Sequence, residues 1–128
     1  MSRAQARKLG ARVRVEARLR RVGGARSQTE ADWGVVLEAE TRAGRIQWAR
    51  HEPIRLRLAE GAWYKPDYLI LMADGSLVAD EVKGSWSARG QEAARVRLKV
   101  AVEHHPWLRF RVVMRKGKGW SVEELGTP

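Results

Sequence analysis

The chain has 128 residues and a mass of 14.5 kDa, room for one compact domain, and its 44% apolar content is enough to bury a core. It has no cysteine, which excludes a disulfide scaffold, a thiolate zinc site and a cysteine nucleophile. It also has no run of 18 apolar residues and no secretory-type N-terminus, so a cytoplasmic protein with no membrane partner is expected. Against 15 Asp+Glu stand 25 Lys+Arg, a net charge of +10 and a pI of about 11.0, and a small basic chain of this kind most often meets a nucleic acid.

The charge is concentrated. Residues 1–26 carry nine basic side chains and one acid, Glu16, for +8, which leaves +2 for residues 27–128. The chain thus divides into a basic arm, 1–26, and a nearly neutral domain, 27–128. Within the arm Arg12, Arg14, Arg18, Arg20 and Arg21 are candidate DNA contacts. Val13, Val15, Ala17 and Leu19 alternate with charged residues as an amphipathic strand does. The plain alternative for such an arm is a solvated tail.

Ser27-Gln-Thr-Glu30 is a capping-box pattern and opens a helix to about Ala43, with Gly44 as its stop. Ile46–Arg50 and Ile54–Leu58 read as strands separated by Pro53. Trp63–Met72 and Ser76–Lys83 flank Asp74-Gly75 and read as a hairpin. A second helix is expected over about Ser87–His105, with Ala93, Val96 and Val100 facing in and Pro106 ending it. Trp107–Met114 alternates as a last strand, followed by a basic loop at 116–119. The resulting order, αβββαβ, predicts an α/β fold with a mixed central sheet flanked by helices.

The chemistry concentrates in the hairpin, where Pro66-Asp67 is followed by Glu81-Val82-Lys83-Gly84. In a strand i and i+2 share a face, so Glu81 and Lys83 point together and Val82 points away. Asp67 joins them only if the loop has an odd number of residues centred on Asp74. Ala73-Asp74-Gly75, with glycine at the left-handed position, meets that condition. Both faces of the hairpin are otherwise apolar, so two carboxylates and a lysine there need a compensating charge. A divalent cation supplies it, and oxygen donors favour a hard ion, Mg²⁺ or Mn²⁺.

These residues resemble the PD-(D/E)XK nuclease motif. Together with Ser27-x-x-Glu30, Tyr64-Lys65-Pro66-Asp67-Tyr68-Leu69, Asp74-Gly75, Arg95-x-Arg97-Leu98-Lys99, His105-Pro106 and Phe110-x-Val112-Val113, they are similar to the phage endonuclease I family of Holliday-junction-resolving enzymes and to related small phage and prophage nuclease-like proteins. The resemblance spans about residues 27–113. It implies a restriction-endonuclease-like core and metal-dependent hydrolysis of DNA phosphodiesters. Asp67, Glu81 and the Val82 backbone carbonyl would be metal ligands, and Glu30 would complete the site. Lys83 would orient or activate the attacking water or stabilise the transition state. A branched substrate and a homodimer follow from the same resemblance, with residues 11–20 as a segment that could exchange between subunits. The long arginine-rich arm and short C-terminal end depart from the family pattern.

Each assignment has a plainer rival. Asp67, Glu81 and Lys83 could form a cross-strand ion pair, and Glu30 could serve only its helix cap. Glu38 and Glu40 are backups for the helix acid. Arg95 and Lys99, four apart on the second helix, could reach a phosphate or form an ordinary basic face, and Lys116 and Lys118 extend the DNA-contact set. Asp80 points away from the site, as a partner for a basic residue. Trp63, Trp86, Trp107 and Trp120 are expected in packing, with Trp86 nearest to a base-contacting role, and His51, His104 and His105 look too scattered for a metal. The rival functions are a non-catalytic nucleic-acid-binding module and a nuclease of duplex DNA or of RNA.

Overall fold

A computed structural model describes residues 13–15, 27–84 and 91–126, with Arg14 and Val15 placed by backbone alone. Its elements are β1 (Val13–Val15), α1 (Gln28–Arg42), β2 (Ile46–His51), β3 (Ile54–Ala59), β4 (Ala62–Tyr64), β5 (Tyr68–Met72), β6 (Leu77–Lys83), α2 (Gln91–His104), β7 (Arg109–Lys116) and β8 (Gly119–Leu125). The fold is α/β: a mixed five-stranded sheet in the order β2-β5-β6-β7-β8, a smaller sheet β1-β3-β4, and two helices. Only β6 and β7 run parallel, joined through α2, and the other neighbours are antiparallel. No described helix is long and apolar enough to cross a membrane.

The two faces of the large sheet bury separate cores. Trp33 and Leu37, one turn apart on α1, pack with Ile46, Tyr68, Ile70, Val78, Val82 and Val113. The opposite face sets Leu69, Ala79, Phe110 and Val112 against Leu98 and Ala101 of α2 and Ile54, Leu56, Leu58 and Tyr64 of the small sheet. Burying an aliphatic side chain of this kind contributes about 1.5–3 kcal/mol, so these two layers supply most of the fold's cohesion. Beneath α1, Asp80 is fully buried and held by Arg111 through two bonds of 2.7 and 2.8 Å and by the Trp33 Nε1–H at 2.8 Å. It is the structural, arginine-paired residue expected.

The order αβββαβ does not match. Pro66 has no N–H to give a ladder, and the run Trp63–Met72 breaks there into β4 and β5, which belong to different sheets. The break at Glu52-Pro53 likewise sends β2 to the large sheet and β3 to the small one. After the turn at Gly117, residues 119–125 form an edge strand whose side chains are largely exposed, so it carries no strong alternation. On α2 the buried positions are Leu98 and Ala101, while Val96 is 58% exposed and Ala93 faces solvent. Trp107 is 41% exposed but packs edge-on against His105. His105, by contrast, is fully buried: its Nε2–H meets the Arg57 carbonyl at 2.8 Å and its Nδ1 accepts from Trp107 Nε1 at 3.3 Å.

The hairpin follows the turn argument. Leu71 pairs with Leu77, Ile70 with Val78, Leu69 with Ala79 and Tyr68 with Asp80, a register centred on Asp74. The Met72 N–H bonds to the Ser76 carbonyl at 2.9 Å, and Gly75 has φ of +88°. Asp67 is thereby aligned opposite Glu81, on the Leu69 side.

Candidate active site

The sheet topology gathers the acidic residues at one edge. Asp67 stands just before β5, Glu81 and Lys83 end the central strand β6, and His51 ends β2 on the other side of β5, opposite Tyr68. The place lies beyond the carboxyl end of the parallel pair β6–β7, where open α/β sheets usually hold their ligands. A cavity of about 330 Å³ opens there, lined by Glu30, Glu52, Asp67, Glu81, Lys83, Tyr64, Trp63, Lys65, Ala94 and Arg97. Glu30, Asp67, Glu81 and Lys83, nominated from the sequence, all line it.

Asp67 is fixed by two backbone contacts. Its N–H donates to the Asp80 carbonyl at 3.0 Å, and its Oδ2 accepts the Val82 N–H at 2.7 Å. Burial and then the Glu81 charge push its pKa up to about 8, with Glu30 adding to the rise and the Val82 N–H and Lys83 opposing it. Both oxygens of Glu81 are engaged: Oε1 with Lys83 Nζ at 2.9 Å, Oε2 with the Tyr64 hydroxyl at 2.5 Å. Burial and the adjoining Glu81 hold the Tyr64 phenol well above its ordinary value, so it stays a donor. Each carboxylate oxygen retains a second lone pair, so Glu81 can still accept a cation.

Glu30 only half obeys the capping box. Ser27 Oγ accepts the Glu30 N–H at 3.2 Å, capping α1, but the Glu30 carboxylate turns to His51 Nε2, also at 3.2 Å. Helix α1 is anchored at this point by Tyr68, whose hydroxyl donates to the Glu30 carbonyl at 2.8 Å. Glu52 follows His51 in a left-handed conformation, φ +47°, and its N–H bonds to the Asp67 carbonyl at 2.9 Å. The ligand atoms of Glu30, His51 and Glu52 lie within 4.8 Å of one another, so this buried group could hold a metal ion. Glu30 therefore groups most closely with His51 and Glu52, with Asp67 and Glu81 across the cavity.

His51 is thus no stray histidine, and Glu52, Tyr64, Lys65, Trp63 and Arg97 join the site without having been singled out for it. For His51 and Glu52 the signal was spatial: β2 lies beside β5, skipping two intervening strands, and nothing in the order of segments announces that neighbour; Trp63, Tyr64 and Lys65 enter beside Asp67 in sequence, and Arg97 from α2. Arg95 and Lys99 are exposed and outside the cavity lining. Lys116 and Lys118 sit at the exposed β7–β8 turn. Glu38 is exposed, and Glu40 pairs with Arg45 on the surface, so neither reaches the site. Trp120 packs on Trp33. Arg12, Arg18, Arg20, Arg21 and Trp86 lie outside the described residues, as does the side chain of Arg14. Comparison with protein-family models, with curated proteins and with solved structures found no match.

Proposed function

We propose that this chain is a metal-dependent DNA endonuclease of the PD-(D/E)XK kind, with a restriction-endonuclease-like core and a preference for branched DNA. The observation that carries this reading is the convergence of Asp67, Glu81, Lys83 and Glu30 on one cavity at the end of β6. Four carboxylates, counting Glu52, share that space with Lys65, Lys83 and Arg97. A chain that only bound DNA would set these acids against phosphates that repel them; a cation between the two reverses the sign. The +8 of the arm supplies sequence-independent attraction to the backbone.

The residues fit a divalent ion by their donors. Asp67 and Glu81 offer carboxylate oxygen, joined on the nuclease resemblance by the Val82 carbonyl, while Glu30, Glu52 and His51 offer two carboxylates and an imidazole. That nitrogen suits Mn²⁺ better than Mg²⁺. When bound, such an ion acidifies water and polarises the phosphoryl oxygens. The chain's own contribution is positional. Tyr64 and Lys83 hold the Glu81 carboxylate from its two ends, and the Val82 N–H holds Asp67. Lys83, 17% exposed in its side chain and with Nζ 2.9 Å from Glu81, would orient a water and relieve charge on the attacked phosphate. Symmetric cutting of a junction calls for two such sites, hence a homodimer.

Calorimetry with Mn²⁺ tests the reading. Wild type should bind the ion with release of protons, because Asp67 must ionise, and Asp67→Asn should lose most of that heat. No binding by wild type sinks the metal assignment.

A further inference from the structure

Helix α2 carries three basic residues in a row of alternate positions, Arg95, Arg97 and Lys99. At 100° per residue, Arg95 and Lys99 each point about 160° away from Arg97, so one face of the helix cannot present all three. The cavity decides which is used: α2 offers it Ala94 and Arg97, one turn apart, while Leu98 and Ala101 go into the core. Ala94 is small enough to leave the approach to Asp67 and Glu81 open.

Resting on the nuclease reading above, we propose that Arg97 binds the phosphate next to the scissile one and so sets the register of the strand in the site. Three features carry this. First, among the described residues Arg97 has no ion pair or hydrogen bond, although it borders a cavity containing four carboxylates. The other two cations of the lining are engaged: Lys83 with Glu81, and Lys65 in a contact of its own. Second, Arg97 is exposed at the rim, whereas Glu81 is buried and Lys83 partly buried deeper in the cavity. The phosphate under attack has to reach the floor; the rim cation is left to its neighbour. Third, a guanidinium can fork onto two phosphate oxygens at once, which fixes orientation as well as position. The ligand class is a phosphodiester strand of at least two phosphates.

A contact made equally in the bound and transition states changes KM and leaves kcat alone. Arg97→Ala should raise KM for a DNA substrate about tenfold with kcat within about twofold, and Arg97→Lys should recover part of that loss. DNA binding measured with Ca²⁺ in place of the active ion, as a function of salt, gives a second readout. The slope of log affinity on log salt should fall by about one unit in Arg97→Ala and stay at the wild-type value in Arg97→Lys. It should also stay at that value in Arg42→Ala, which removes an exposed arginine from the last turn of α1, away from the cavity. A wild-type slope in Arg97→Ala, or a fall in kcat with KM unchanged, overturns the assignment of Arg97 and leaves the hydrolysis reading standing. Wild-type protein that binds no DNA overturns both.

Discussion

Asp67 is held at a strongly raised pKa by burial and by the neighbouring Glu81 charge. In the metal-free fold it keeps its proton up to about pH 8, whereas in an unfolded chain a carboxyl releases it near 3.8. Between those values the folded state binds the extra proton. The contribution to stability is therefore complete below about pH 4, declines as pH rises and is gone above about pH 8. Urea denaturation in EDTA should show wild type losing stability over that window relative to Asp67→Asn, and Mn²⁺ should remove the difference in slope by favouring the ionised form. Equal pH profiles for the two proteins would refute this. Asp80 is the structural counterpart. Removing its partner in Arg111→Ala leaves a fully buried carboxylate with only the Trp33 N–H, at a cost of about 3–5 kcal/mol in chemical denaturation. A loss below about 1 kcal/mol would mean that the Arg111 contact does not hold Asp80 in place.

Between elements, the contact of α1 with β5 positions the helix acid. Gly34 lies so close to Tyr68 that a Cβ there would come within 2.6 Å of the hydroxyl oxygen, and that hydroxyl is what holds the Glu30 carbonyl. Gly34→Ala should therefore destabilise the protein by about 1–3 kcal/mol despite alanine's better helix propensity. In a Tyr68→Phe background the same substitution should be close to neutral, and a double-mutant cycle by thermal denaturation reads the coupling. Additive effects would show that the two do not press on each other. Much at this scale was legible in the chain. Ser27 and Gly44 bracket α1, and the Ala73-Asp74-Gly75 loop sets the parity that brings Asp67 opposite Glu81. What was not legible has physical causes. Pro66 interrupts an apolar run that looks like one strand, β8 is an exposed edge without periodic burial, and the buried stripe of α2 runs through Leu98 and Ala101 rather than Val96. His51 and Glu52 reach the site only because β2 neighbours β5, and that choice of neighbour is made by the whole sheet.

Across the whole molecule the charge is unevenly distributed. The domain of residues 27–128 is nearly neutral because acids at the cavity and in buried pairs offset its basic groups, while residues 1–26 hold +8. Residues 13–15 of that arm pair with β3 of the same chain, Val13 with Leu56 and Val15 with Ile54, which ties the arm to the small sheet. On the proposed reading the arm would attract a polyanion in general, and the acids of the cavity would act on it through a bound cation. Cleavage of four-way, flapped, linear and single-stranded DNA by wild type and Lys83→Ala, with Mg²⁺ or Mn²⁺ at a stated salt concentration, tests this most directly. Wild type should cut, branched DNA fastest, and Lys83→Ala should bind the same DNA while cutting at least 100-fold more slowly, on the order expected for loss of a charge-stabilising group. Equal behaviour of the two proteins on every substrate would contradict the account.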